Sequence, residues 1–266
     1  MSWMSVPARA ASWKLVPSLT ESDRRCLVFH LTGPMEGWGT VAVGTFRPTR
    51  RHPTKSAIVG VVSASLGFER DDARIHSLFV DYEYAVISSG KETEMSDFAT
   101  VESSEPDKGE LFTRLPPRAL ELSSEKRNTI MVDRRFICNG YFTVLMVPKT
   151  GAEFSLESIK AALECPHFVP YLGRKSCPLS FPMCPSIESY SRLCDIIPEV
   201  SLRPFRNDAF QDSKFLKNMD AMRVYSTYPL EGFGGYVTNV VVDDMPDRIN
   251  WSFRERIEYE YLGELR

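Results

Sequence analysis

The sequence predicts an α+β protein: a domain with elements in the order β-α-β, long insert, β-α-β, then a smaller β-rich region. Three observations carry that prediction. A strand-like, a helical and a second strand-like stretch follow one another between residues 26 and 87. A polar excursion of about forty residues then breaks the regularity, longer than an ordinary connection. Strand and helix patterns return between 129 and 163.

In chain order, residues 1–25 are expected to be a poorly ordered extension, with no apolar run long enough for a signal segment. "CLVFHL" (26–31) alternates Leu27, Phe29 and Leu31 against Val28 and His30, the pattern of a half-buried strand. "TGPMEGWG" is a loop by composition. A helix is predicted over 54–66, with Thr54 as N-cap and Gly67 as the glycine just past its end. Ser56, Gly60, Ser63, Ala64 and Gly67 form a small-residue stripe, suited to lying close on a sheet. "SLFVDYEYAVI" (77–87) alternates Leu78, Val80, Tyr82, Tyr84 and Val86, predicting one strand. From Ser88 the chain is acidic, then basic at Arg114, Arg118, Lys126 and Arg127. Residues 129–148 read as β structure, and 155–163 as a helix capped by Ser155. "PYLGRKSCP" (170–178) reads as a turn or short strand with a basic tip. The pattern over 180–218 is weak; "MRVYSTY", "GYVTNVVVDD" and "RERIEYEYL" read as three final strands. This is the order of a ferredoxin-like or RRM-like domain over 26–180, with a β-rich C-terminal region over 181–266. Such a fold hosts many functions, so the site must decide.

A net charge of −3 does not advertise a nucleic-acid binder, but binding needs only a local patch. The six cysteines form no C-x-x-C pair and the four histidines do not cluster, so no metal site or other cofactor is expected. Reduced thiols in a cytoplasm are the expectation, and no run of 18 apolar residues offers a membrane span.

Four stretches carry chemistry. In "RPTRRHPTKS", Arg47, Arg50, Arg51 and Lys55 gather without one acid at a helix start, where Thr54 and Ser56 add hydroxyls. Free N–H groups and arginine forks suit phosphate; a solvated basic loop with an ordinary cap is the equal alternative. The excursion 88–128 is an arm holding a single strand or a neighbouring subunit, or else a disordered loop. Its basic base, Arg114, Lys126 and Arg127, and the following Arg134 and Arg135 favour phosphate contact. Arg174 and Lys175 beside Gly173 form a third basic point, or a charged turn. Trp38, between glycines, reads as a cover for the core before a base-stacking platform. For catalysis, His52 and Lys55 are close enough to try metal-independent RNA cleavage, but no acid cluster fits two metals.

At "GPMEGWG" (33–39), "RPTRRHPTKSAIVGVVSASLGFERDD" (47–72) and "PYLGRKSCPLSFP" (170–182), the sequence resembles the CasD family, Cas family five. That family supplies the subunit at the 5′ end of the CRISPR RNA (crRNA) in type I-E CRISPR Cascade. The resemblance implies an RRM-like domain with a thumb hairpin between its second and third strands, here about 88–135. It implies a non-catalytic RNA-binding subunit that grips the crRNA 5′ handle and caps one end of the backbone filament. Its partners would be the backbone and large subunits, and target DNA through the complex. Carried onto this chain, RNA contact falls on Arg47, Arg50, Thr54, Lys55, Ser56, Arg114, Arg134, Arg174 and Lys175. The alternative is a metal-independent endoribonuclease of CRISPR repeat RNA, with His52 as base. Two departures stand out. The family's S-D-Y-H-T-V is here Ser96, Asp97, Phe98, Ala99, Thr100 and Val101, without the histidine; W-R-E-Y-L is here Asp133, Arg134, Arg135, Phe136 and Ile137.

Overall fold

Two apolar clusters, one on each face of a mostly antiparallel sheet, organise the molecule. The computed structural model describes residues 24–89, 92–104, 127–202, 222–247 and 252–263. Strand β1 (Arg25–Thr32) runs through the sheet with six of its residues buried, not half-buried as its alternation predicts. The reason is that both faces are covered. Leu27, Phe29 and Leu31 join one cluster with helix α1 (Lys55–Ser65), while Cys26 and Val28 join the other with helix α4 (Leu193–Leu202). Burying a Leu, Ile or Phe side chain contributes roughly 1.5–3 kcal/mol, so two-sided burial anchors β1 firmly in the sheet. Helix α4 falls in the stretch whose sequence pattern is weak. Pro198 sits inside it, where a proline ordinarily breaks the backbone ladder.

Helix α1 starts and stops as its sequence predicts. The Thr54 hydroxyl accepts from the Ala57 N–H at 3.2 Å, and Gly67 follows the last turn at φ +79°. Ile58, Val59, Val61 and Val62 carry its buried face. At Gly60 the small-residue stripe does not meet the sheet, however: a Cβ there would find nothing beyond its own helix within 4 Å. The predicted strand over 77–87 is corrected in its first half. Ile75–Val80 is a helix, α2, whose Ile75, Leu78 and Phe79 turn inward at helical spacing. Val80, inward by alternation, is 48% exposed. Strand β5 begins only at Tyr82 and runs to Ser88.

The polar excursion contains regular structure. Strands β6 (Thr93–Ser104) and β7 (Arg127–Cys138) pair antiparallel from Thr93 opposite Cys138 to Ser104 opposite Arg127. Two short strands precede α1: β2 (Trp38–Gly39) pairs with β4 (Thr49–Arg50), and β3 (Phe46–Arg47) runs parallel to β7. The β stretch predicted over 129–148 is two strands. Asn139, at φ +61°, turns the chain from β7 into β8 (Tyr141–Pro148), which enters the main sheet between β5 and β1. Helix α3 (Leu156–Glu164) is capped by the Ser155 hydroxyl. The 170–178 stretch is a loop closed by a Tyr171–Pro178 bridge; the strand beside β1 is β9 (Ser186–Ser189). Strands β10 (Met222–Ser226), β11 (Val237–Asp247) and β12 (Ser252–Gly263) continue the same sheet from β5. Its order is β11-β12-β10-β5-β8-β1-β9. Among the described residues, no helix is long and apolar enough to cross a membrane.

Candidate nucleic-acid interface

The basic loop before α1 is met by acids from the far end of the chain. The Asp243 carboxylate accepts the Lys55 backbone N–H at 2.7 Å, taking the anion position that the start of a helix favours. Lys55 Nζ pairs with Asp244 at 2.7 Å. Arg256 forks onto Asp243 at 2.5 and 2.9 Å and reaches Glu258 at 3.2 Å. Arg50 donates to Glu258 at 2.6 Å. Three cations, Arg50, Lys55 and Arg256, thus face three carboxylates, Asp243, Asp244 and Glu258. Burial works against the Glu258 charge, but the His52 N–H and the Arg50 and Arg256 charges hold its carboxyl below the usual range. Burial likewise opposes the Arg256 charge, and Asp243 with Glu258 outweighs it.

This network places several sequence-predicted residues in structural roles. Thr54 is the helix cap, and its hydroxyl lies 3.1 Å from that of Ser56. Arg50 and Lys55 are ion-paired inside the fold. His52 is 4% exposed, stacked on Tyr225 at 3.6 Å between centroids and 3.1 Å from Glu258. Burial first, then the Arg50 and Arg256 charges, lowers its pKa despite Glu258. Donation to a carboxylate puts its proton on Nε2. Trp38 is fully buried, edge-on to Phe142, as a core cover.

Less compensated positive charge gathers elsewhere. The β3–β7 register sets Arg47 beside Arg134, and neighbours across a sheet share a face. Arg174 reaches the same corner: its Nη2 donates to the Arg47 carbonyl at 3.1 Å and its guanidinium lies over Phe136 at 4.6 Å. Its Nη1 has no hydrogen-bond partner among the described residues. Burial, then the Arg134 and Arg47 charges, lowers the Arg174 pKa. The acid at this corner is Asp97, 3.5 Å from Arg134 Nε. Exposed Lys175 follows Arg174. Arg135 points to the opposite face of the hairpin, between Glu94 at 3.4 Å and Asp133 at 3.1 Å. Arg114 lies outside the described residues.

The two glycine-containing motifs are interlocked at this corner. A Cβ on Gly173, at φ +78°, would stand 2.1 Å from the Gly37 carbonyl oxygen, and one on Gly37 would strike the Arg174 side chain. Glycine at both positions therefore seats the Arg174 loop on "GPMEGWG". Glu36, in that same segment, exchanges 2.8 Å backbone bonds with Ile137 at the hairpin base. Its carboxyl is fully buried against Gly140, and burial, reinforced by Glu92, pushes its pKa up to about 8. Sequence reasoning missed Glu36 and the acids Asp243, Asp244 and Glu258. A signal existed only for the last, in the charged alternation of "RERIEYEYL".

Comparison with known proteins agrees with these motifs. The family model for the CRISPR-associated protein Cas5 matches residues 26–261. The CRISPR system Cascade subunit CasD of Escherichia coli strain K12 is 32% identical over 169 residues, covering 60% of this chain and 70% of that protein. A chain of a CRISPR RNA-guided surveillance complex shares the fold at a TM-score of 0.57 and 19% identity, over 90% of this chain and 89% of that one. A solved Cas protein does so at 0.53 and 20%, over 90% and 95%. A family match spanning both the interlocked glycine motifs and the acids that close on α1 leaves one conclusion: the chain belongs to the Cas5 family of CRISPR-associated proteins.

Proposed function

We propose that this chain is a non-catalytic RNA-binding subunit of a CRISPR Cascade surveillance complex. It holds the 5′ handle of the crRNA, caps one end of the backbone filament and contacts the backbone and large subunits, serving RNA-guided DNA binding in the cytoplasm. The strand order β9-β1-β8-β5, with α1 and α3 as crossovers, supports reading its core as a ferredoxin-like domain. In that reading β6 and β7 are the thumb. The observation that carries the proposal is the corner of Arg47, Arg134 and Arg174 with exposed Lys175 beside it, against the carboxylate of Asp97. Planar arginine forks at such a corner suit a phosphate chain. Arg50, Thr54, Ser56 and Lys55 then act one step back, holding the loop that presents Arg47. The endoribonuclease alternative needs His52 as base. That ring is packed between Tyr225 and Glu258, which leaves the alternative without its candidate.

The test is labelled repeat RNA with the full chain in EDTA, run in native and denaturing gels side by side. The expected result is a shifted, intact RNA. The double variant Arg134→Ala with Arg174→Ala should weaken binding and flatten its salt dependence, by roughly 0.7 in log–log slope for each phosphate no longer neutralised. A discrete cleavage product, or an unchanged slope in the double variant, would sink the reading.

A further inference from the structure

Three consecutive residues fasten the arginine corner together. The Glu36 backbone exchanges two 2.8 Å bonds with Ile137 of β7, the strand that carries Arg134. The Gly37 N–H donates at 3.0 Å to the Leu172 carbonyl, in the loop that carries Arg174. The Trp38 N–H donates at 2.9 Å to the hydroxyl of Thr49, which follows Arg47 and Pro48. Each carrier of a corner arginine is therefore tied to segment 36–38. Within that segment the Glu36 side chain is wholly buried, and neither carboxyl oxygen has a hydrogen-bond partner among the described residues. Gly140 makes room for it: a Cβ there would stand 2.1 Å from Oε2. The titratable groups that face it are Glu92 beyond β5, Cys138 at the end of β7 and Cys177 in the 171–178 loop. None of them is a cation. The Gly33 backbone favours the charged form but falls short of a hydrogen bond. A buried charge without a counter-ion is strongly disfavoured, so the closed segment requires a neutral carboxyl.

We propose that Glu36 is a proton-operated latch on the RNA-holding corner. With the proton on its carboxyl, segment 36–38 stays seated and Arg47, Arg134 and Arg174 stand together. When the proton passes to water, the segment opens to hydrate the carboxylate, and the corner loses its shape. The inference rests on the RNA-holding reading above and adds a regulator to it. The open segment ionises in the ordinary range near 4.5, the closed one only at about 8. Between those values each rise of one pH unit favours opening by up to about tenfold. RNA needs the corner assembled, so RNA and the proton favour one another's binding.

Glu36→Gln keeps the shape of the side chain and cannot ionise. The first measurement is hydrogen exchange at the Gly37 and Ile137 amides of the full chain, read as protection factors from pH 6 to 8. Protection should fall with pH in the wild type, by up to about tenfold per unit, and stay level in Glu36→Gln. The second is affinity for single-stranded repeat RNA. From pH 6 to 8.5 the wild type should weaken by at least about threefold, while Glu36→Gln holds its affinity. At pH 8.5 wild-type binding should take up close to about one proton per chain, read by calorimetry in two buffers of different ionisation heat. The same pH dependence in both proteins overturns the latch, and so does opening without loss of RNA. Wild-type binding at pH 8.5 without proton uptake overturns it even where the variant fails to fold. Binding by neither protein at pH 6 overturns the RNA reading instead, and the exchange series still decides the latch.

Discussion

The chain over 49–56 and the corner at the base of the β6–β7 hairpin both carry basic residues, and Arg50 and Lys55 in the first end in the opposite electrostatic state to the arginines of the second. In the loop, Arg50 and Lys55 meet Glu258, Asp244 and, through the helix start, Asp243. At the corner, Arg47, Arg134 and Arg174 meet, with Asp97 paired to Arg134. The dense basic run of the sequence is divided in the fold: Arg50 and Lys55 are paired, Arg47 joins the corner and Arg51 is exposed. Availability depends on which distant strand packs over the charges. Here β11 and β12 close on α1, while β3 and the 171–178 loop bring arginines together beside Asp97.

The sharpest way to break this comparison is to remove Arg256. It holds Asp243 and Glu258 at once and is largely buried. Deleting one partner of a buried ion pair strands the other and costs about 3–5 kcal/mol. Arg256→Ala should therefore lower the midpoint of denaturant unfolding strongly, whereas Arg134→Ala, at a partly exposed pair, should cost no more than about 1 kcal/mol. Equal losses in the two variants would mean that the loop network is no more structural than the corner.

A second effect, smaller at any single pH step, separates two buried carboxyls by pH. Glu258 is held below the usual range by the His52 N–H and then by Arg50 and Arg256, so its stabilisation is present above the unfolded pKa near 4.5 and is lost as pH falls through its folded value. Glu36 runs the other way. With a folded pKa near 8 against 4.5, it stays protonated while the unfolded chain ionises, so stability falls as pH rises between those values. The slope approaches about 1.4 kcal/mol per pH unit. Glu36→Gln should remove it, gaining on the wild type from pH 5 to 8 in urea titrations. A constant difference between the two proteins across that range would mean that Glu36 is ionised in the fold.

What could be read from the sequence follows the range of each interaction. The Thr54 and Ser155 caps and the Gly67 stop depend on atoms within three or four residues, and all stand where predicted. The helix at Ile75–Val80 is hidden because Leu78, Val80 and Tyr82 mimic alternation while Ile75, Leu78 and Phe79 set the buried face. Two-sided burial of β1 depends on α4, more than 160 residues away along the chain and masked by Pro198. At the site, Arg47, Arg134 and Arg174 are each visible as basic residues, but their meeting depends on a two-residue parallel strand and on two interlocked glycines. The pairing of Arg50 with Glu258 spans 208 residues, beyond any local pattern.

The finest division lies between two adjacent residues. Arg134 and Arg135 are neighbours in "DRRF", and strand geometry sends successive side chains to opposite faces. Arg134 joins Arg47 and Arg174. Arg135 lies between Glu94 and Asp133, with its guanidinium 5.6 Å from the Phe46 ring. Its pairs are partly exposed, so Arg135→Ala should change stability by less than about 1 kcal/mol and leave the salt slope of RNA binding unmoved. Arg134→Ala should flatten that slope by roughly 0.7 at a similar small cost in stability. Paired salt titrations of the two variants read the hairpin's orientation directly. A flattened slope in Arg135→Ala with none in Arg134→Ala would put the RNA on the Phe46–Phe98 face and turn the hairpin over.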